Sequence, residues 1–199
     1  MALITTTTRT GELKHRLILD CRVSGTNAAT KKWERILSPR ILDVLQDSMM
    51  LQAITLDDGS ELSYFVCDFS DAFFAVPLNP QERCYFATQY KGYTYVWNRV
   101  TQGSLDGPTL YGRVAALVAR LTQSILDADV ARCQLYVDDP IITICANPQY
   151  TERLIAMVCL VWLVMGFGLS FHKAQRGPKV EWVGYQLTAY RGTVRIQVK

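Results

Sequence analysis

Hydrophobic residues recur with two different periods along the chain, and these periods predict both strands and helices. Apolar positions over 108–126 repeat at helical spacing, so this segment is predicted to be an amphipathic helix. The run at 62–69 is short, apolar and rich in aromatic and β-branched residues, which is typical of a buried strand. Residues 84–100 alternate aromatic and polar side chains around Lys91-Gly92, the pattern of a β-hairpin.

The remaining segments extend this pattern to both ends of the chain. Asn147 can cap a helix whose first residue is Pro148, and Pro39 can open another helix after Ser38. The other predicted elements are strands at 13–23, 132–137, 141–145, 182–187 and 193–198, with a polar, frayed segment at 1–12. This order predicts an α+β fold in which helices cover one face of an antiparallel sheet.

Composition narrows the class of protein. The 199 residues are 49% hydrophobic and 20% charged, which excludes a disordered chain, and a net charge of +3 permits nucleic-acid binding without requiring it. Six cysteines without C-x-x-C spacing and only two histidines argue against zinc and for reduced thiols in an intracellular protein that is not secreted. The most apolar stretch, 154–169, is too short to span a bilayer and is predicted to be a buried helix.

Three aspartates stand out because their sequence neighbours are apolar. Asp138 and Asp139 follow the apolar segment 135–137 at a predicted hairpin tip, where adjacent carboxylates repel each other unless cations neutralise them. A plain turn is the alternative. Asp68 ends an apolar strand, and by itself it is equally well explained as a helix cap or as a metal ligand. The two features together favour a metal site shared by adjacent strands.

Carboxylates grouped in this way suit phosphoryl transfer. Two metal ions about 3.5–4 Å apart stabilise both the attacking and the leaving oxygen of an in-line displacement. Magnesium is a hard cation that prefers carboxylate and water oxygens to sulfur or imidazole, which fits a chain that is poor in histidine. The residues therefore favour a two-magnesium site, with Mn²⁺ as an alternative cation.

Six segments between residues 12 and 198 resemble, in the correct order, the sequence motifs of reverse transcriptases from retroviruses and long-terminal-repeat retrotransposons. The segments are a basic fingers strand at 14–22 (KHRLILDCR) followed by Asn27, a first catalytic motif at 65–78 (FVCDFSDAFFAVPL), a template- and nucleotide-contacting loop at 100–109 (VTQGSLDGPT), YVDD at 136–139, GLSFHK at 168–173 and a primer-grip hairpin starting at 182–187 (WVGYQL). The resemblance implies a right-hand polymerase palm, an antiparallel sheet backed by helices, with partial fingers.

The resemblance also implies an activity and the residues that carry it. The activity is RNA-directed DNA polymerisation, in which a primer 3′-hydroxyl attacks a dNTP on an RNA or DNA template with two Mg²⁺ ions bound. The implied metal ligands are Asp68, the backbone of Phe69, Asp138 and Asp139. The implied dNTP contacts are Arg16, Asp71, Ala72, Phe73, Gln102 and Lys173. The implied template and primer contacts are Gln102, Gly103, Tyr136, Trp182, Gly184 and Tyr185.

Several of these roles have a simpler structural alternative. Phe73 would exclude a 2′-hydroxyl from the sugar site, but core packing also explains an aromatic residue there. Arg16 and Lys173 fit phosphate and pyrophosphate contacts, Lys173 as a proton donor, and both also fit a solvated surface. The segment from Trp182 equally fits a hydrophobic hairpin. For Phe74, Trp97 and Trp162, packing is the preferred interpretation.

Pro140 departs from the resemblance, because the family usually has an aliphatic residue there. Proline has no N–H to donate to a strand, and it biases the preceding Asp139 toward extended geometry.

The resemblance implies fingers at 1–30 and 76–106 and palm at 31–75 and 107–199, with no thumb and therefore low processivity. The alternatives to an active polymerase are a catalytically inactive palm remnant that at most binds nucleic acid, and an RNA-dependent RNA polymerase, against which Phe73 and Tyr136-Val137 argue.

Overall fold

The computed structural model of the chain describes residues 2–7, 11, 13–31, 34–55 and 59–199. The helices are α1 (Thr26–Ala29), α2 (Ile41–Ile54), α3 (Gly107–Ser124) and α4 (Pro148–Val164). The strands are β1 (Ala2–Thr7), β2 (Leu13–Ile18), β3 (Glu61–Val66), β4 (Phe69–Ser70), β5 (Ala87–Tyr90), β6 (Tyr93–Val96), β7 (Ala131–Tyr136), β8 (Asp139–Ala146), β9 (Gly168–Leu169), β10 (Gln175–Gly177), β11 (Lys179–Trp182), β12 (Tyr185–Tyr190) and β13 (Thr193–Val198).

The chain forms two compact units, each built from two segments of the sequence. The first unit comprises Met1–Ile36 and Phe73–Gly112, and the second comprises Leu37–Ala72 and Arg113–Lys199. The chain therefore leaves the second unit after Ala72 and re-enters it at Arg113. The predicted fingers and palm boundaries stay a prediction.

A four-stranded antiparallel sheet lies at the centre of the second unit. Its strand order is β10-β3-β8-β7, so β8 is an interior strand. Every residue of β8 from Pro140 to Ala146 is buried. A continuous apolar run of this kind is the pattern expected of a strand that is covered on both faces.

Helices pack on both faces of this sheet. The hydroxyl groups of Tyr64 on β3 and Ser48 on α2 lie 3.1 Å apart, within hydrogen-bond distance. The next residue, Phe65, stacks on the ring of Trp162 on α4. Adjacent residues of a strand point to opposite faces, so α2 and α4 cover opposite sides. The predicted α+β fold with an antiparallel sheet backed by helices is confirmed, but the helices cover both faces of this sheet and not one face.

A separate meander, β11-β12-β13, completes the second unit. Trp182 pairs with Tyr185, and Val183 and Gly184 between them both have positive φ angles, which makes a tight two-residue turn. The predicted continuous strand at 182–187 is therefore wrong, since the turn interrupts it. The error has a physical cause: valine rarely adopts a positive φ, so the sequence carries only the glycine as a turn signal.

The first unit contains two hairpins. Strand β1 pairs with β2 along its whole length, so the prediction of a frayed N-terminal segment is wrong for residues 2–7. Thr5, Thr6 and Thr7 have high strand propensity, and pairing with β2 outweighs their polarity. The β5–β6 hairpin turns at Lys91-Gly92 as predicted, with positive φ at both residues.

Helix boundaries follow local capping interactions. The Asn147 side chain accepts a hydrogen bond of 2.9 Å from the Tyr150 N–H, which confirms the predicted start of α4. Helix α2 begins two residues later than predicted, at Ile41, because the Asp43 carboxylate accepts a 2.6 Å bond from the Arg40 N–H. Within the described ranges, no helix is both long and apolar enough to cross a bilayer.

Candidate functional site

The hairpin between β7 and β8 carries two of the three aspartates. Tyr136 pairs with Asp139, so the two-residue turn consists of Val137 and Asp138, and Asp139 is the first residue of β8. The predicted connection through residues 138–140 is thus shifted by one position. Val137 has φ 56°, a conformation that costs a β-branched residue roughly 1–3 kcal/mol. Strain of this kind persists only where the surrounding structure fixes the backbone.

Backbone hydrogen bonds attach the third aspartate to this hairpin. The Cys67 N–H donates to the Pro140 carbonyl at 3.3 Å, and the Phe69 N–H donates to the Asp138 carbonyl at 3.0 Å. Asp68 lies between these two donors, at the end of β3. Strand β4 follows it directly, so Asp68 does not cap a helix. Main-chain contacts therefore hold Asp68 beside the hairpin that carries the other two carboxylates.

Pro140 lies on an interior strand, where proline is unusual. It is tolerated because the regular pairing between β3 and β8 ends at the Val66–Ile141 pair, so Pro140 lies just outside it. The Pro140 carbonyl still accepts the bond from Cys67, but the reciprocal bond cannot form because proline has no N–H. The proline thus weakens the ladder next to Asp139 without breaking the hairpin.

Trp182 supports the hairpin through a hydrogen bond to the main chain of Asp139. Its indole N–H donates to the Asp139 carbonyl at 2.9 Å, and its ring meets that of Tyr136 edge to face at 6.3 Å. Only 2% of Trp182 is exposed. The contact shows a positioning role for Trp182, while contacts of Trp182, Gly184 and Tyr185 with a primer stay predictions.

Lys173 forms an ion pair with the Asp68 carboxylate, a contact that the sequence did not suggest. The Asp68 side chain is 21% exposed and the Lys173 side chain 48% exposed, so the pair lies at the edge of the site. Ser170, which sequence reasoning missed, helps to place both: its N–H donates to the Asp68 carbonyl, and its own carbonyl accepts from the Lys173 N–H, both at 2.9 Å. Its only sequence signal is its position within the GLSFHK segment.

The three carboxylates interact electrostatically. The pKa of Asp139 is raised to about 6, first by burial and then by the charges of Asp138 and Asp68, while the charge of Lys173 opposes the rise. Asp139 is therefore close enough to both other aspartates to experience their charge. Repulsion of this kind is what a bound divalent cation would relieve.

The donor chemistry of these residues fits a divalent cation, but the cluster is not preassembled. Among the residues that the structure describes, no group of three acidic, cysteine or histidine side chains is arranged to hold a metal ion. The ion pair with Lys173 occupies the Asp68 carboxylate instead. Before Asp68, Asp138 and Asp139 could hold a metal ion together, the Asp68 carboxylate would have to release the Lys173 ammonium group.

The raised pKa of Asp139 predicts a specific pH dependence of stability. The native state binds this proton more tightly than the unfolded chain, so its contribution to stability is present at low pH and is lost as the pH rises from about 4 to 6. In chelator at pH 7, Asp139→Asn is expected to raise the free energy of unfolding by about 1 kcal/mol, after discounting for partial exposure.

Urea denaturation at pH 4, 5, 6 and 7 measures this difference. The gain should shrink steadily as the pH falls to 4, where Asp139 is protonated in the native state and about half protonated in the unfolded wild-type chain. A gain that is independent of pH, or a loss of stability at pH 7, would contradict the assigned repulsion.

Predicted nucleotide contacts fall in both units. In the second unit, Asp71 is exposed with φ 52° and Ala72 is buried. In the first unit, Arg16 is exposed on β2, and Phe73 packs against Tyr111 with 5.4 Å between ring centroids. Phe73 remains partly exposed, so packing against Tyr111 leaves part of its ring accessible. Contact of these residues with a nucleotide stays a prediction.

The predicted packing roles of three aromatic residues are confirmed. Phe74 stacks on Trp97 with ring centroids 6.0 Å apart and an interplanar angle of 14°. Trp162 is 1% exposed. None of these side chains is available as a large exposed stacking surface.

The loop that contains Gln102 and Gly103 is fixed to the end of β2. The Leu19 N–H donates to the Gln102 carbonyl at 3.0 Å. Asn27 bridges the loop, donating to the Gly103 carbonyl at 3.1 Å and accepting from the Leu105 N–H at 2.8 Å. The structure thus brings together two segments that were predicted to share a function.

Gly103→Ala is expected to destabilise this loop by about 1–3 kcal/mol. Gly103 has φ 109°, and a Cβ there would overlap the Leu19 carbonyl oxygen. Gly92→Ala is the matched control, because Gly92 also has a positive φ of 78° but has open space around it, so alanine there meets backbone strain without a steric overlap. Urea unfolding of both variants measures the difference. Equal losses would show that the steric contact with Leu19 is unimportant.

The chain is similar to known proteins both in sequence and in fold. The family model for reverse transcriptase (RNA-dependent DNA polymerase) matches residues 10–187. The chain is 31% identical over 134 residues to the Pol polyprotein of equine infectious anemia virus (isolate CL22), covering 61% of this chain and 11% of that protein. It is 27% identical over 124 residues to the Pro-Pol polyprotein of simian foamy virus type 1, covering 61% of this chain and 10% of that protein.

Solved structures show the same fold. The prototype foamy virus protease-reverse transcriptase (CSH mutant) superposes with a TM-score of 0.66 at 21% identity, covering 98% of this chain and 24% of that one. A foamy viral protease-reverse transcriptase in complex with an RNA/DNA hybrid gives 0.64 at 20% identity, covering 94% and 22%. The chain spans about a tenth of the Pol polyproteins it matches. With the family model covering most of its length, the chain belongs to the reverse transcriptase (RNA-dependent DNA polymerase) family.

Proposed function

We propose that this chain carries the nucleotidyl-transfer site of a reverse transcriptase. It would extend a primer 3′-hydroxyl with deoxynucleotides on an RNA or DNA template. Relatives of this fold are described in complex with dsDNA and with an RNA/DNA hybrid, which supports a template–primer duplex as the partner. The family uses divalent metal ions, and two Mg²⁺ ions, replaceable by Mn²⁺, are the proposed cofactors.

A single observation carries the proposal. Asp68 is held beside the β7–β8 hairpin by the bonds from Cys67 and Phe69, and Asp139 experiences the charges of both other aspartates. Three aspartates from two segments far apart in sequence therefore lie at the same end of the central sheet, within electrostatic range of one another. Without cations this arrangement is electrostatically costly, and a function that binds cations explains why it exists.

The residues of the chain would act chiefly by positioning. Asp68, Asp138 and Asp139 would offer carboxylate oxygens, together with the Phe69 backbone, and the strained Val137 turn would fix their direction. The cations supply Lewis-acid stabilisation of the attacking and leaving oxygens when bound. Lys173, which pairs with Asp68 in this structure, would be free once Asp68 held a metal ion, and its ammonium group would then be the proton donor on the pyrophosphate side.

Templated primer extension tests this function directly. A labelled DNA primer annealed to an RNA template is incubated with the chain, Mg²⁺ and the dNTP complementary to the next template base. We expect extension by that dNTP, little extension by mismatched dNTPs or by the ribonucleotide, and none in chelator. Failure to extend on both RNA and DNA templates, with Mg²⁺ and with Mn²⁺, would reject the polymerase assignment for this chain.

A non-catalytic palm that binds nucleic acid is the second candidate. Two observations favour it: Lys173 neutralises Asp68, and Pro140 removes a backbone bond next to Asp139. Mn²⁺ binding, followed by electron paramagnetic resonance of the free ion, separates the candidates. An active site should bind Mn²⁺ and lose that binding in the double variant Asp68→Asn/Asp138→Asn, whereas an inactive remnant should bind no Mn²⁺ at this position.

A further inference from the structure

The β5–β6 hairpin presents three tyrosines on one face. Cross-strand pairing joins Tyr90 to Tyr93 and Thr88 to Tyr95. Tyr93 and Tyr95 are two residues apart on one strand, so their side chains point the same way, and the cross-strand partner of each shares that face. The tyrosine face, defined as Tyr90, Tyr93 and Tyr95, is thus continuous across both strands.

This face is exposed to an unusual degree. Tyr90 and Tyr95 are 51% exposed and Tyr93 is 70% exposed. The hairpin forms a two-stranded sheet of its own, and its opposite face, which carries Gln89 and Thr94 together with Ala87 and Val96, is also exposed. Three neighbouring exposed rings contribute little to folding, and grouped exposed aromatic residues commonly mark a binding surface.

The spacing of the rings suits a nucleobase. Alternate residues of a strand lie about 6.6 Å apart, which is roughly twice the 3.4 Å separation of stacked bases. A planar base therefore has room between the rings of Tyr93 and Tyr95. Tyr90 lies directly across from Tyr93 and extends the platform by one ring.

The charge around the hairpin suits a phosphate backbone. Residues 83–99 contain Arg83, Lys91 and Arg99 and no acidic residue. Arg83 and Arg99 donate to the neutral carbonyls of Leu78 and Ala75, and the Lys91 ammonium lies 5.4 Å from the centre of the Tyr90 ring. Within the described part of the chain, none of the three cations forms an ion pair, so their charge is available to an anion.

We propose that the tyrosine face is a single-stranded nucleic-acid binding site that stacks unpaired bases while Lys91 and the flanking arginines contact phosphates. Aromatic stacking combined with a basic rim is the general mode of binding single strands without sequence preference. The proposal goes beyond nucleotidyl transfer, because binding here needs neither metal ions nor the aspartates. It rests on the proposed function only in taking the unpaired template as the natural source of the strand.

Fluorescence anisotropy in chelator tests the site with the whole chain. The probes are a labelled 12-nucleotide oligothymidylate and an abasic strand of equal length and charge. Tyr93→Leu/Tyr95→Leu is expected to weaken oligothymidylate binding about tenfold or more, since stacking is worth roughly 1–3 kcal/mol per base, and to leave the abasic strand unaffected. Tyr93→Phe/Tyr95→Phe should bind both probes like the wild type, because phenylalanine keeps the stacking surface.

Two controls make the result specific. Gln89→Ala/Thr94→Ala changes the opposite face of the same hairpin and should leave binding unchanged. Lys91→Ala should weaken binding of both strands alike and reduce the salt dependence, because it removes a phosphate contact. Unchanged oligothymidylate binding by the leucine variant would overturn the proposal. Equal weakening of abasic-strand binding by the leucine variant would also overturn it. A leucine variant that loses self-association but keeps nucleic-acid binding would identify the tyrosine face as a protein interface instead.

The polymerase activity and the tyrosine-face binding site can be rejected independently of each other. Repeating the binding measurement on Asp138→Asn shows whether stacking persists in a chain that cannot extend primers. Persistent, tyrosine-dependent binding by a chain without polymerase activity would support this inference and reject only the polymerase. Normal extension with tyrosine-independent binding would reject only this inference.

Discussion

Asp138→Asn is expected to reduce templated primer extension by roughly 10²–10⁴-fold. The reason is that a metal ion that neutralises the charge developing on the reacting oxygens stabilises the transition state by several kcal/mol. Asparagine has nearly the same shape as aspartate but offers one neutral oxygen and no charge. The loss should appear in the single-turnover rate of extension. The fold should survive, since the substitution also removes a negative charge that acts on Asp139. Urea unfolding should therefore show equal or greater stability.

Asp129→Asn provides the matched control for this substitution. Asp129 is exposed in the turn before β7, in the same unit, and the change in charge and volume is identical. Extension by this variant should stay within about twofold of the wild type, because an exposed charge away from the site contributes little. Comparable loss in both variants would indicate a general effect of charge. Full activity of Asp138→Asn would show that this aspartate is not a metal ligand.

Local chemistry predicted much of the second unit from the sequence. The start of α4 followed from the Asn147-Pro148 pair, and the placement of a hairpin around the aspartates followed from apolar strands on either side. Both rest on interactions between residues close in sequence. The exact turn was off by one residue, because Val137 adopts a positive φ that valine disfavours and that only tertiary contacts can impose.

Features that depend on distant residues were not predictable in this way. The pairing of Lys173 with Asp68 joins residues separated by more than a hundred positions, and nothing in either segment signals it. The packing of α2 and α4 on opposite faces needs the strand order, which places β8 in the interior. The same limit applies to β1, whose polar residues form a strand because they pair with β2. Local pattern predicts elements, whereas tertiary pairing decides their neighbours.

Trp162→Ala is expected to lower the free energy of unfolding by about 3–5 kcal/mol. Trp162 stacks on Phe65 at 6.3 Å, meets Phe69 edge to face at 5.2 Å, and donates its indole N–H to the Thr122 hydroxyl at 2.8 Å. Alanine leaves a cavity among these groups and removes the donor from Thr122. Domains are stable by only about 5–15 kcal/mol, so this loss is a large share of the total. Urea denaturation with circular dichroism measures it.

The same substitution links the core to the candidate site. Phe69, which packs on Trp162, follows Asp68 and donates its N–H to the Asp138 carbonyl, so a collapse toward the cavity would displace the bond that holds the aspartates together. Primer extension should therefore fall even under conditions where Trp162→Ala remains folded. Trp162→Phe keeps a ring against Phe65 and should lose clearly less stability and activity. A loss below about 1 kcal/mol for the alanine variant would contradict the packing role of this tryptophan, since truncating a buried aromatic residue ordinarily costs several times more.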